Sequence, residues 1–193
     1  METFYSIQGE GVYTGRAAFF IRIAGCDVGC VWCDVKESWD KNLHQILEVK
    51  TLINQVKETK TDFVVITGGE PGMYDLNYLT QELKKLNVEI AIETSGAYEL
   101  KGIFDWITLS PKKFKKPIDS VISQAHELKI IVFNKSDFDW AERYANLVNL
   151  NCKLFLQTEW DKKETNYPLV FDYILANPKW KISVQIHKYL GVD

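Results

Sequence analysis

The sequence predicts an α/β fold: a partial, incomplete barrel of parallel strands, TIM-like in its repeating unit. Three observations carry this. Seven short runs rich in Val, Ile and Phe alternate with stretches of helical period, the pattern of parallel βαβ units. The chain has 193 residues, whereas a full eight-stranded barrel typically takes ~250. Polar segments follow strand after strand, and in parallel α/β folds those ends share one ligand-binding face.

In chain order, the segment Phe4–Gly11 precedes a first strand at Ala17–Ile23, which runs into Gly25-Cys26-Asp27-Val28-Gly29-Cys30-Val31-Trp32-Cys33-Asp34. Ile46, Val49, Ile53 and Val56 recur at helical spacing and predict one apolar helix face. The strand Phe63–Thr67 ends in Gly68-Gly69-Glu70-Pro71, and Leu76, Leu79, Leu83 and Leu86 predict the next helix. The strand Glu89–Thr94 is followed by Ser95-Gly96, and Trp106–Ser110 by Pro111-Lys112. Further strands are expected at Lys129–Phe133, at Lys153–Thr158 with Glu159 after it, and at Lys181–Ile186 with His187-Lys188 after it. His44 and His126 fall in helical stretches and read as surface residues, and the basic run Lys112–Lys116 as a solvated loop. With no internal repeat, low-complexity segment or linker, one domain spanning 1–193 is expected.

Composition narrows the function class. Hydrophobic residues make up 46% and charged residues 25% of the chain, ordinary values for a globular protein. A net charge of −3 gives no general case for binding nucleic acid or a membrane surface. No apolar run approaches the ~20 residues of a membrane span, and Met1-Glu2-Thr3-Phe4-Tyr5 lacks the features of a signal peptide. A cytoplasmic location is expected, where thiols stay reduced and clustered cysteines serve as metal ligands or redox groups.

Three of the four cysteines, Cys26, Cys30 and Cys33, fall in one short loop. Thiolates favour zinc or iron–sulfur clusters. Structural zinc takes four protein ligands, commonly in pairs. The remaining cysteine, Cys152, precedes an apolar strand and reads as a small core residue. Zinc would therefore need His44 or another distant group. A 4Fe-4S cluster with three thiolates and one open iron matches the arrangement better.

The Cys-x3-Cys-x2-Cys spacing, joined by Gly68-Gly69-Glu70-Pro71 downstream, resembles the radical S-adenosylmethionine (SAM) superfamily. That resemblance implies the radical SAM fold, a 4Fe-4S cluster on Cys26, Cys30 and Cys33, and SAM bound at the open iron. It also implies SAM contacts from Trp32, Asp34, Gly69, Glu70, Glu93, Ser95, Ser110, Pro111, Lys112 and Gln157. The cofactor carries the difficult chemistry, and the protein supplies position and shielding.

Within the superfamily, several segments together resemble the 7-carboxy-7-deazaguanine synthase family over essentially the whole chain. They are Phe4-Tyr5-Ser6-Ile7-Gln8-Gly9-Glu10-Gly11, Phe20–Cys26, Trp32-Cys33-Asp34, Thr67–Glu70, Glu93–Gly96, Ser110-Pro111-Lys112 and Gln185-Ile186-His187-Lys188. The resemblance implies a lyase of queuosine and deazapurine biosynthesis. It would convert 6-carboxy-5,6,7,8-tetrahydropterin to 7-carboxy-7-deazaguanine with loss of ammonia. The adenosyl radical abstracts hydrogen from C6, the ring contracts, and the hydrogen is returned. A flavodoxin- or ferredoxin-type electron donor and a homodimer are further implications.

Pterin contacts are expected from Gln8, Glu10 and the backbone of Ile7 and Gly9, whose donors and acceptors complement the ring edge. Arg22 offers a planar fork for the substrate carboxylate. Thr67 and His187 are further candidate contacts, and Asp193 would place a terminal carboxylate near the substrate. The sequence departs from the family at one place. The resemblance implies a magnesium ligand, Thr or Ser, two positions after the third cysteine, where this chain has Val35. Magnesium requires oxygen ligands. The expected alternatives are substrate oxygens and water, an oxygen from Asp34, Glu37 or Ser38, or the Lys36 ammonium. Two rival classes remain: a glycyl-radical-enzyme activase acting on a partner protein, which shares the cysteine spacing, and a non-enzymatic zinc module.

Overall fold

A computed structural model describes residues 1–192. Eight strands form one sheet in sequential order: β1 (Glu2–Ile7), β2 (Ala17–Ile23), β3 (Phe63–Gly68), β4 (Glu89–Thr94), β5 (Trp106–Leu109), β6 (Glu127–Val132), β7 (Lys153–Thr158) and β8 (Trp180–Ser183). β1 runs antiparallel to β2, with Glu2 opposite Arg22, and every later neighbour pair is parallel. β1 and β8 stand at opposite edges without pairing, so the barrel is partial, as expected.

The helices are α1 (Val49–Glu58), α2 (Asn77–Lys84), α3 (Asp119–Gln124), α4 (Asp137–Ala145), α5 (Lys163–Ala176) and α6 (Ile186–Leu190). Alternation along the strands sorts their side chains to two faces. Ile66, Ile90, Ile92, Leu109, Leu128, Ile130 and Leu156 are almost fully buried, in one core with Leu52, Val56, Leu79 and Leu83 of α1 and α2. Each such side chain contributes about 1.5–3 kcal/mol through burial. The opposite parity carries a smaller cluster of Ala18, Phe20, Phe63, Val65 and Ala91, packed with Phe4, Tyr13 and Trp106.

Eight strands form where seven were expected. β1 is the addition, a half-exposed edge strand whose polar residues hid its alternation. β6 starts at Glu127, ahead of the expected Lys129, because two charged residues occupy its inward parity. The last strand ends at Ser183, and Ile186 begins α6 instead. Ile46 lies outside α1 and is 94% exposed, so the apolar face begins at Val49. Neither histidine expected in a helix is in one. His44 ends a 3-10 turn, with Nε2 2.7 Å from the Glu37 carbonyl. His126 lies between α3 and β6, stacks on Trp106, and accepts from the Ile107 N–H at Nδ1. Cys152 is buried against the core, as expected.

Candidate active site

The C-terminal ends of the parallel strands surround a cavity of about 270 Å³. Its inward-parity lining includes Arg22 on β2, Thr67 on β3, Glu93 on β4, Lys129 on β6 and Gln157 on β7, with Ser110 just after β5. The same cavity is lined by Ile7 at the end of β1 and Gln8, Gly9 and Glu10 after it, by Cys26, Cys30, Trp32, Cys33, Asp34 and Val35 after β2, and by Gly69, Glu70, Ser95, Lys112 and His187. Thus most of the predicted residues meet in one place. Pro111 does not: it is buried and lines an adjoining cavity of about 210 Å³ with Val31, Phe114 and Trp140, while Trp32 borders both. Asp193 lies outside the described residues.

The cysteine loop is clamped at its base. Gly25 N–H donates to the Ser38 carbonyl at 2.6 Å, and Cys26 N–H to the Trp39 carbonyl at 3.3 Å. Cys33 N–H turns back onto the Cys30 carbonyl at 3.1 Å. Burial pushes the Cys26 thiol up, and the Cys30 thiol to about 11, with the Lys112 ammonium pulling the latter the other way. Metal coordination therefore has to displace the protons. Among the described residues, no group of three or more His, Cys, Asp or Glu side chains converges on a point where a single ion could sit. The loop offers three separate thiols around a shared space, a donor set suited to a cluster with one thiolate per iron. His44 does not line that space, so it does not complete a zinc site there.

The glycines after β3 have a role the sequence did not reveal. Expected to admit a ligand, they admit the neighbouring chain: Gly69 N–H donates to the Ile23 carbonyl at 2.8 Å and Glu70 N–H to the Gly25 carbonyl at 2.9 Å. A Cβ on Gly69 would stand 2.4 Å from the Gly25 oxygen and 3.0 Å from the Cys26 Cβ. The Gly-Gly turn is thereby pressed against the start of the cysteine loop. Glu70 is 1% exposed. Its carboxylate accepts from Gly72 N–H at 2.8 Å, Ser95 N–H at 2.7 Å and the Thr94 and Ser95 hydroxyls, which ties the turn to the end of β4.

Lys112 turns inward from its basic run. Its ammonium donates to Ser110 Oγ at 2.7 Å and lies 5.3 Å from the Trp32 ring, and burial lowers its pKa. Its neighbours are not free solvated charges either, since Lys113 pairs with Asp137 and Lys115 with Asp27.

On the other side of the cavity, Gln8 donates to Glu93 Oε1 at 2.9 Å and accepts from Glu10 N–H at 3.0 Å. Glu93, expected among the SAM contacts, is thus held from the side of the Gln8–Glu10 segment. Arg22 faces the cavity and also pairs with Glu2 at 3.2 Å, above the Phe4 ring. His187 packs so closely on Gly9 that a Cβ there would reach its Nδ1 at 2.0 Å. Burial lowers the His187 pKa, which keeps the imidazole neutral at pH 7. Below this layer Glu127, which accepts from Val12 N–H at 3.0 Å, is raised to about 7 by burial, although Lys129 acts against the rise.

Lys129 and Gln185 line the cavity in addition to the expected site residues. The sequence predicts Lys129 only as the start of a strand. The signal is the alternation Glu127-Leu128-Lys129-Ile130, charged at one parity and apolar at the other.

Residues 20–132 match the family model for the Radical SAM superfamily. A 7-carboxy-7-deazaguanine synthase of Flavobacterium psychrophilum is 54% identical over 193 residues, covering 100% of this chain and 91% of the relative. One of Synechocystis is 50% identical, covering 99% and 91%. The crystal structure of QueE from Escherichia coli superposes with a TM-score of 0.83 at 31% identity, covering 95% of this chain and 92% of that one.

Proposed function

This chain belongs to the radical SAM superfamily and, within it, to the 7-carboxy-7-deazaguanine synthases, and from that membership we propose a division of labour among its residues. As a family member it is an enzyme that works with a 4Fe-4S cluster and SAM. The activase alternative is not favoured, since relatives matched over the full chain are deazaguanine synthases.

The reaction assigned is conversion of 6-carboxy-5,6,7,8-tetrahydropterin to 7-carboxy-7-deazaguanine and ammonia, an elimination with no net oxidation. When bound, cluster and SAM together supply the 5′-deoxyadenosyl radical that takes and returns the C6 hydrogen. Cys26, Cys30 and Cys33 hold the cluster. Gly69 and the backbone of Glu70, whose carboxylate is already taken by Gly72, Thr94 and Ser95, would hold SAM together with Ser95, Ser110, Lys112, Gln157, Trp32 and Asp34. Gln8, Glu10 and the backbone of Ile7 and Gly9 take the pterin edge. Arg22 takes the substrate carboxylate as a planar fork. Thr67 and neutral His187 supply hydrogen bonds that do not compete with Arg22 for charge.

The observation that carries this reading is the shared cavity: the cysteine loop, the Gly-Gly-Glu turn and the Gln8–Glu10 segment line a single space. Anaerobic incubation of the cluster-loaded protein with SAM, reductant, magnesium and the carboxytetrahydropterin should yield 7-carboxy-7-deazaguanine by mass spectrometry. Substrate left unconverted by protein that still cleaves SAM would overturn the assignment. A homodimer, a cytoplasmic location and a flavodoxin- or ferredoxin-type donor are assigned from the family resemblance alone.

Magnesium is assigned a lesser role than the family pattern implies. Val35 presents an isopropyl group to the cavity. Asp34 is held by Lys188 Nζ at 2.8 Å, and although burial acts to raise its pKa, that ammonium keeps it below the ordinary carboxylate range. The Ser38 hydroxyl is bound to the Val35 carbonyl at 2.6 Å, and Lys36 and Glu37 are exposed. The residues here do not make an octahedral oxygen site. Activity should survive chelation better in the native protein than in Val35→Thr, and added magnesium should stimulate Val35→Thr more. A strict requirement in the native protein, unchanged by Val35→Thr, would refute this.

A further inference from the structure

Lys129 is a lysine in the wall of the cavity whose side chain is only 6% exposed. An ammonium this deeply buried is unfavourable unless it is paired and hydrogen-bonded. Two carboxylates flank it. It forms a hydrogen-bonded ion pair with Glu10 Oε2, and its Nζ lies 3.6 Å from Glu93 Oε2. Gln185 holds the other Glu10 oxygen, its Nε2 donating to Oε1 at 2.8 Å.

Each Glu10 oxygen therefore accepts one hydrogen bond from the protein. An ionised carboxylate has about four acceptor directions, so each oxygen keeps one in reserve. A carboxylate with one open direction per oxygen suits a ligand edge with two adjacent N–H donors, as on a 2-amino-4-oxo pyrimidine ring.

We propose that Lys129 is a positioning residue for substrate: it fixes the Glu10 carboxylate in the cavity wall so that its two open acceptor directions receive paired N–H groups of the pterin. The proposal rests on the pterin reading above. Without Lys129, Glu10 and Glu93 would share a poorly solvated space with no ammonium between them. Glu10 would then take up a proton or rotate away, and either change removes one of the two acceptors.

The test is steady-state kinetics of the cluster-loaded protein with the carboxytetrahydropterin, comparing the native chain with Lys129→Met, Glu10→Gln and the double variant. Losing a hydrogen bond to a charged group predicts a rise in KM of roughly 10- to 100-fold for Lys129→Met. The cluster spectrum and SAM affinity should stay native. Because Lys129 acts through Glu10, the double variant should be no worse than the poorer single one. An unchanged KM in Lys129→Met, or fully multiplicative losses in the double variant, would overturn the proposal. If Lys129→Met does not fold, Gln185→Leu removes the other donor to Glu10 and should raise KM in the same direction, and an unchanged KM there would also overturn it. Failure of the pterin reading is distinguishable, because the native chain itself would then not turn the substrate over.

Discussion

Replacing Cys30 by alanine should remove the visible absorbance of the iron–sulfur cluster and reduce SAM cleavage to background. The same is expected for Cys26 and Cys33. A methyl group cannot stand in for a thiolate, and the carboxylates beside the loop are already engaged, Asp34 by Lys188 at 2.8 Å. Glu70, the carboxylate beside the loop, already accepts four hydrogen bonds from Gly72, Thr94 and Ser95. Cys152→Ala is the control, since that thiol packs in the core away from the cavity and its loss should cost only about 1 kcal/mol of stability. Iron and sulfide analysis after anaerobic reconstitution checks both. Full iron content and activity in Cys30→Ala would refute the cluster assignment.

The second large effect is expected from Gly69→Ala, a change that adds a single methyl group and removes no thiol. The added Cβ would lie 2.4 Å from the Gly25 oxygen and 2.8 Å from the Gly25 carbonyl carbon, both backbone atoms. Gly25 is in turn clamped to Ser38 and carries a φ of +103°. Neither chain can give way without moving the start of the cysteine loop. Overpacking of this kind costs about 1–3 kcal/mol. The larger consequence is displacement of Cys26 from the cavity wall it shares with Cys30 and Cys33. Iron content per chain should fall well below native while the far-ultraviolet circular dichroism stays native. Native iron content and native SAM affinity in Gly69→Ala would show that the turn is not what seats the loop.

The parts of the fold that were legible were those with a strong local pattern. The strands that begin at Phe63, Glu89 and Lys153 each carry an unbroken apolar stretch, Phe63–Ile66, Ile90–Ile92 and Leu154–Leu156, and lie where expected. β1 was not legible as a strand because an antiparallel edge strand needs only one apolar face, and Thr3 and Ser6 blur even that. The cavity was legible in outline because ligand-binding residues gather at strand ends in parallel folds. Lys129 fell outside that rule, being placed in the middle of a strand rather than at or after its end. Pro111 obeyed the rule yet faces the adjoining cavity.

By itself, the sequence determined the chemistry: three thiols at fixed short spacing, a Gly-Gly-Glu-Pro turn, and an opening Gln-Gly-Glu segment. These are local features, and a few covalent bonds between neighbours are enough to specify them. The tertiary structure alone decided which charges face one another. Lys129 and Glu10 are 119 residues apart in the chain, and they meet because β6 turns its charged parity to the concave face while the segment after β1 crosses that face. Alternation along a strand shows that two faces differ. Only the curvature of the assembled sheet makes one of them the wall of a cavity.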